Sequence, residues 1–249
     1  MVSLVPSTTE ALHALGAESI IVGNSNQCDY PEAARRVAKV GDFVRPDLER
    51  IVSLKPELVF LTLPLHSVIA EKLAELGISY MNCSPRSVEE MFNEIESIAV
   101  LLGRAERGRA LVDSLRNCLP SLISFEETLS VYAEISAAPL MTVGGCSYLN
   151  DIIRRSGGVN VFASVNRDYF CVSPEEVVAR DPGVILVLHP ASSSDDVCRR
   201  LGWSSVKAVR NGCVFADLNE DLLLRPGPRL VEGILLLYSL LHPESRNMR

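Results

Sequence analysis

The chain states one pattern at two places with a constant spacing. Asp42-Phe43, Glu49, Ile51-Val52, Pro56 and Leu58-Val59-Phe60-Leu61 return as Asp168-Tyr169, Glu175, Val177-Val178, Pro182 and Val184-Ile185-Leu186-Val187, and each position lies 126 residues from its match, about half of the 249-residue chain. An acid, an aromatic, a second acid, a proline and a four-residue apolar run held in one register point to two related lobes. A ligand would then sit between them.

Each copy reads as a physical unit. Glu49 and Glu175 open short amphipathic stretches that a proline ends, and the proline leads into an apolar run of strand length. The unit predicted is an aromatic loop, a short helix, a turn and a buried strand. Helices alternating with continuous apolar strands suggest parallel sheets covered on both faces, and such sheets take ligands beyond the carboxyl ends of their strands. The fold class expected is therefore α/β: two Rossmann-like lobes joined by a single long helix, with a ligand cleft between them.

Composition narrows the function. A net charge of −7, with no basic run longer than a few residues, argues against a nucleic-acid or anionic-membrane surface. No apolar stretch reaches the ~18 residues of a membrane span, so no direct insertion is expected; Ile234 to Leu241 fits the buried face of a final helix. Met1 runs straight into strand-like Val2-Ser3-Leu4-Val5 without a secretory signal. The expectation is either a cytoplasmic protein or an envelope protein whose leader is not part of this chain. Seven scattered cysteines without a Cys-x-x-Cys pair indicate neither a disulfide framework nor zinc.

Along the chain, a strand at Val2 to Val5 precedes a helix for which Ser7-Thr8-Thr9-Glu10 offers a hydroxyl cap, ended by Gly16. Strand-like Ile20 to Val22 and a polar loop from Asn24 to Pro31 follow. Helices are predicted over Ser67 to Leu76 and Ser87 to Leu102, with a strand at Ile78 to Met81 between them. A helix from Ala105 to about Ile123, kinked or ended by Pro120, lies between the two copies and is the natural connector; it would limit hinging. The boundaries predicted are 1–103 for the first lobe, 104–126 for the connecting helix and 127–249 for the second lobe. The second lobe repeats the order: a strand from Leu129 to Ile135, a Gly144-Gly145-Cys146 loop and a helix from about Ser147 to Arg155. Beyond its repeat unit come a helix near Asp195 to Arg200, a strand at Val214-Phe215, a loop from Asp217 to Leu224 and a last helix after Pro226-Gly227-Pro228.

At four places the chain resembles the substrate-binding proteins of cobalamin and ferric-siderophore ABC importers, the class III periplasmic binding proteins. These are Val2 to Glu10, Cys28-Asp29-Tyr30-Pro31, Leu48 to Ile51 before Lys55 to Val59, and Arg225-Pro226-Gly227-Pro228-Arg229-Leu230. The match keeps the motif order over nearly the whole chain and is nearest to the cobalamin branch. The resemblance implies two lobes, a rigid helix between them, a cleft for a bulky metal chelate, an ABC importer permease as partner, and no catalysis, resident cofactor or metal. It places Phe43 and Tyr169 against the corrinoid and Asp221 near it, with Tyr30 and Phe170 as further aromatics and Arg225 in the ligand-binding set. Gln27 and Thr62 depart from the pattern, standing where cobalamin binders offer aromatics. Glu49 and Glu175 match the paired acids that engage arginines on the two halves of a transporter.

Each reading has a plainer rival. Phe43 and Tyr169 are otherwise core aromatics, and Glu49 and Glu175 are otherwise helix caps. His66 and His189 follow the repeated strands, yet four histidines without a close pair do not make a transition-metal site. Enzyme motifs are absent, and Cys146 has a helix start but no base beside it. The function expected is capture of a corrinoid without chemical change. The alternatives are a ferric-siderophore or haem receptor, for which Arg45 and Arg225 would contact an anionic chelate, and a cytoplasmic corrinoid- or metallocofactor-handling enzyme.

Overall fold

The computed structural model describes residues 1–119 and 128–243, which divide into two compact units. The first comprises Met1–Pro85, Glu89–Asn117 and Arg225–Pro228; the second takes the described parts of Arg86–Val88, Cys118–Leu224 and Arg229–Arg249.

In the first unit the elements are β1 (Val2–Ser3), α1 (Pro6–Ala14), β2 (Gly23–Asn24), α2 (Leu48–Ser53), β3 (Leu58–Leu61), α3 (Ser67–Glu75), β4 (Ser79–Asn82), α4 (Val88–Leu101) and α5 (Ala105–Cys118). The strands form one parallel sheet in the order β2-β1-β3-β4. Helix α1 starts at Pro6 rather than after a hydroxyl cap. Proline fits the first helical position because its missing N–H would have no partner there. Ser7, Thr8 and Thr9 consequently lie inside the helix and are buried. The strand expected at Ile20 to Val22 is displaced to Gly23–Asn24, after a short 3-10 turn at Glu18–Ile20. Gly23 fits because a Cβ there would stand 2.6 Å from the Leu54 side chain. Val2, Leu4, Ile51, Val59, Leu61 and Leu73 fill the core between sheet and helices.

Helix α5 belongs to the first unit through Gly108, where a Cβ would come 2.3 Å from that of Ala99 on α4. The connector expected over 104–126 is described as far as Leu119, and Pro120 and Ile123 lie outside the described residues.

The second unit contains β5 (Leu129–Ala137), β6 (Leu140–Val143), α6 (Tyr148–Arg155), β7 (Gly158–Asn160), β8 (Tyr169–Cys171), α7 (Pro174–Arg180), β9 (Val184–Val187), α8 (Ser194–Cys198), α9 (Lys207–Arg210), β10 (Val214–Phe215), α10 (Asp221–Leu224) and α11 (Leu230–Leu241). Strands β7-β5-β9-β10 form a parallel set, the same arrangement as β2-β1-β3-β4. Antiparallel β6 and β8 extend it, with Val143 opposite Tyr169 and Thr142 opposite Phe170. The aromatic loop expected at Asp168-Tyr169 is therefore the start of a strand, and the loop expected from Asp217 to Leu224 ends in α10.

The repeat carries into the backbone at its strand and at the ends of its helix. Strands β3 and β9 have bounds 126 apart, and helices α2 and α7 take their caps from matching residues, Asp47 and Ser173. Among the described residues the non-glycine positions with positive φ are Lys55 at 48° and Asp181 at 44°, again a matched pair, each just after its helix. Their amides donate to Val52 and Val178, which also match.

Trp203, Tyr132 and Phe162 centre the second core. Beside them the buried Glu134 carboxylate accepts two bonds from Arg200 at 2.5 and 2.6 Å and one from His189 Nε2 at 2.9 Å. A charge so buried is tolerable only when paired in this way. His189 Nδ1 accepts from the Ala191 amide, so Nε2 carries the proton. This histidine is a structural partner of Glu134.

Candidate functional site

Of the expected ligand residues in the first unit, Tyr30 and Phe43 sit on loops between the carboxyl end of β2 and α2, and Arg225 on the separate segment Arg225–Pro228. Two loops, 25–31 and 41–46, are zipped together. The Asn26 amide donates to Gly41 O at 2.9 Å, and its side chain donates to Asp42 at 2.7 Å. Gln27 Oε1 accepts the Phe43 amide at 2.7 Å, while Phe43 O bonds His66 Nε2 at 2.5 Å. His66 Nδ1 accepts the Thr62 amide, which leaves its proton on Nε2 for Phe43. Burial pulls the His66 pKa down, with the Phe43 carbonyl opposing, and the ring meets Phe43 edge-on at 5.4 Å.

Phe43 is thus half-buried with both backbone groups held. Gln27, read from sequence as a missing aromatic, is one of its supports, and Thr62 hydrogen-bonds Ser84 across the ends of β3 and β4 at 2.6 Å.

Loop 25–31 has its own braces. Lys39 Nζ donates to Asn24 Oδ1, Ser25 O and Cys28 O at 2.8 to 3.1 Å. Cys28 is buried and receives the Thr9 hydroxyl at 3.0 Å, so its thiol, pushed up by burial, is a packing group. Asp29 is bonded by Arg225 at 2.6 Å, and Arg225 also lies 3.8 Å from buried Glu10. Beyond Asp29, Tyr30 is 46% exposed.

In the second unit, Gly144-Gly145 is explained by backbone approach. A Cβ on Gly145 would stand 2.2 Å from Ala163 O, and one on Gly144 2.4 Å from Arg167 O. The closeness allows Gly144 to donate to Asp168 O and Gly145 to Val165 O. Cys146 Sγ donates to Asn166 at 2.7 Å, with no base in contact. Tyr169 is 41% exposed, with Tyr148 and Ser147 as neighbours of its hydroxyl. Tyr148 in turn donates to Leu224 O at the end of α10, where half-buried Asp221 begins the helix. Phe170 alternates to the other side of β8 and packs its ring on Phe162 at 5.5 Å. Tyr169 therefore offers a face, whereas Phe170 joins the core.

Glu49 and Glu175 each hold the second position of their helix and are exposed. Capping is done by other residues. Asp47 accepts from Arg50, and Ser173 with Glu176 forms a reciprocal box. Among the described residues neither Glu49 nor Glu175 has an ion-pair partner.

The structure brings Tyr30 and Phe43 to adjoining loops of the first unit, and Tyr169 and Asp221 to the second. Among the described residues no cluster of three or more histidine, cysteine or acidic side chains is placed to hold a metal. Nor is any helix long and apolar enough to cross a membrane.

A family model described as periplasmic binding protein matches residues 1–220. An uncharacterized ABC transporter substrate-binding lipoprotein of Bacillus subtilis is 30% identical over 98% of this chain and 80% of its own. A vitamin B12-binding protein of Vibrio parahaemolyticus is 30% identical over 94% of this chain and 86% of its own. The apo structure of a periplasmic heme-binding protein of Roseiflexus, 24% identical, superposes with a TM-score of 0.85 over 97% of each chain, a likeness of fold.

Proposed function

From the premise that this chain belongs to the periplasmic binding protein family, as the substrate-binding component of an ABC importer, we propose that its cargo is a corrinoid of the cobalamin class. Members of the family are substrate-binding proteins, not enzymes, and carry no cofactor. That sets aside the cofactor-handling enzyme, and the family and its lipoprotein relative support a location outside the cytoplasm.

The observation that carries the corrinoid reading is the pair Phe43 and Tyr169. They hold matched positions of the repeat, and each is supported by its own neighbours, Phe43 through bonds to Gln27 and His66 and Tyr169 through the pairing of β8 with β6. A flat aromatic face of this kind suits a large conjugated ring, which gives wide apolar contact with little ordering cost. Tyr30 and Asp221 complete the contacts we assign. The vitamin B12-binding relative at 30% identity supports the same class. An anionic chelate has less support, because Arg225 is engaged by Asp29 and Glu10.

Calorimetry with cyanocobalamin tests this. One ligand per chain is expected, with thermal stabilisation growing with free ligand. No heat and no stabilisation with cyanocobalamin, but both with a ferric siderophore or haem, would transfer the assignment to those chelates.

Glu49 and Glu175 we assign to the permease. They are exposed, matched and not needed as caps. Their carboxylates suit arginines on the two halves of a transporter.

A further inference from the structure

We infer that Arg225 acts as a positioning residue for the ligand loop, holding Asp29 and thereby Tyr30, and does not itself serve as a counter-ion to the ligand. Arg225 opens the segment Arg225–Pro228, which groups with the first unit although it lies 196 positions from Asp29. Gly227 lets the segment lie against α1, since a Cβ there would be 3.0 Å from Ser7 O and 3.1 Å from Ser7 Cα. The flanking prolines Pro226 and Pro228 stiffen it. The guanidinium is thereby delivered to two carboxylates, Asp29 at 2.6 Å and Glu10 at 3.8 Å, and its side chain is only 14% exposed.

Glu10 is 4% exposed, and a buried carboxylate needs a cation beside it. The Arg225 guanidinium is thus already engaged by two carboxylates, Asp29 and Glu10. Loop 25–31 is held at its start by Lys39 and at its end by Arg225, with Arg35 Nε on Asp29 O at 3.0 Å as a further tie. Tyr30 stands one residue beyond that end. Fixing the loop before the ligand arrives lowers the ordering cost of binding.

The test uses Asp29→Asn, Arg225→Lys and Arg225→Gln in the full chain. In ligand-free protein, hydrogen exchange of the amides across 25–31 should quicken about tenfold or more in Asp29→Asn and Arg225→Gln, and those of β9 should not change. Arg225→Lys, which keeps the charge without the fork, should recover part of the protection. Cyanocobalamin affinity, the one arm that rests on the corrinoid reading, should fall about tenfold in Asp29→Asn. Asp29→Asn leaves the Arg225–Glu10 pair intact, so it decides the matter if Arg225→Gln does not fold. Unchanged exchange across 25–31 in Asp29→Asn overturns the positioning role. Quickened exchange in a protein whose wild type ignores cyanocobalamin upholds that role and removes the corrinoid reading instead.

Discussion

Glu94 offers a direct measure of what burial costs in the first unit. It lies on α4, half-buried, with Cys83 and Ser84 beyond the end of β4 as its polar neighbours. Burial pushes its pKa up from 4.5 to about 7, and those polar neighbours only partly oppose the shift. Above pH 7 the folded protein must keep a charge it would prefer to neutralise. The sign follows from proton binding: between about 4.5 and about 7 the folded chain holds a proton that the unfolded chain has lost. Stability therefore falls as pH rises through that window and is level above it. At about 1.4 kcal/mol per pH unit, the interval from 4.5 to about 7 corresponds to about 3 kcal/mol. Glu94→Gln keeps the size and a polar oxygen of the side chain and removes the charge. It should raise stability at pH 8 by up to about 3 kcal/mol and flatten the profile between pH 4.5 and 7. Urea unfolding of both proteins at half-unit steps of pH gives the comparison. A variant no more stable than wild type at pH 8, with the same slope below pH 7, would refute the assignment of that penalty to Glu94.

Gly145→Ala should destabilise the second unit by about 2–4 kcal/mol, because the new methyl would meet Ala163 O at 2.2 Å; an unchanged urea midpoint would contradict the close-approach account. Phe43→Ala and Tyr169→Ala should each weaken cyanocobalamin binding about ten- to a hundredfold in calorimetry, whereas Phe170→Leu, altering a ring packed on Phe162, should lower thermal stability more than affinity. Replacing Glu49 and Glu175 together with Ala should leave ligand affinity within about twofold and weaken stimulation of the permease ATPase, and reversal of both to Lys should be worse. Full transport by the double Lys variant would leave these acids without a docking role.

The elements legible in the chain are those specified locally. The apolar runs Leu58 to Leu61 and Val184 to Val187, with a proline ahead and a glutamate at the helix start, required no distant information, and their bounds agree with β3 and β9. Strands β6 and β8 were not legible. Tyr-Phe-Cys is too short to show a period, and its strand character comes from pairing with Met141 to Val143 across an intervening helix. The polar loop and the aromatic pair could be read as candidates for contact, but their supports could not. Gln27 and Phe43 are 16 positions apart, His66 and Phe43 are 23 apart, and Arg225 and Asp29 are 196 apart. Hydrogen bonds over such separations leave no periodic trace in composition or hydropathy.

What the two units share, and what they do not, separates scaffold from site. Cap residues Asp47 and Ser173, the positive-φ residues Lys55 and Asp181, and glutamates at the second helical position are common to both. The caps and the positive-φ residues fix where a helix begins and ends, whereas the glutamates do not cap. The surroundings of the aromatics differ: Phe43 rests on a histidine and a glutamine through its backbone, whereas Tyr169 is paired with Val143 in the β6–β8 ladder and has Tyr148 and Ser147 beside its hydroxyl. A phenylalanine has no polar tip by which to be held, so its loop must be braced at the main chain. A tyrosine can be anchored at the far end of the ring, which limits its rotation as well as its position. Tyr169→Phe therefore isolates the second kind of support. It keeps the apolar face, removes the hydroxyl beside Tyr148 and Ser147, and should cost affinity for cyanocobalamin by up to about tenfold if that hydroxyl orders the ring. Binding equal to that of wild type would place the ordering of Tyr169 in the β6–β8 ladder alone.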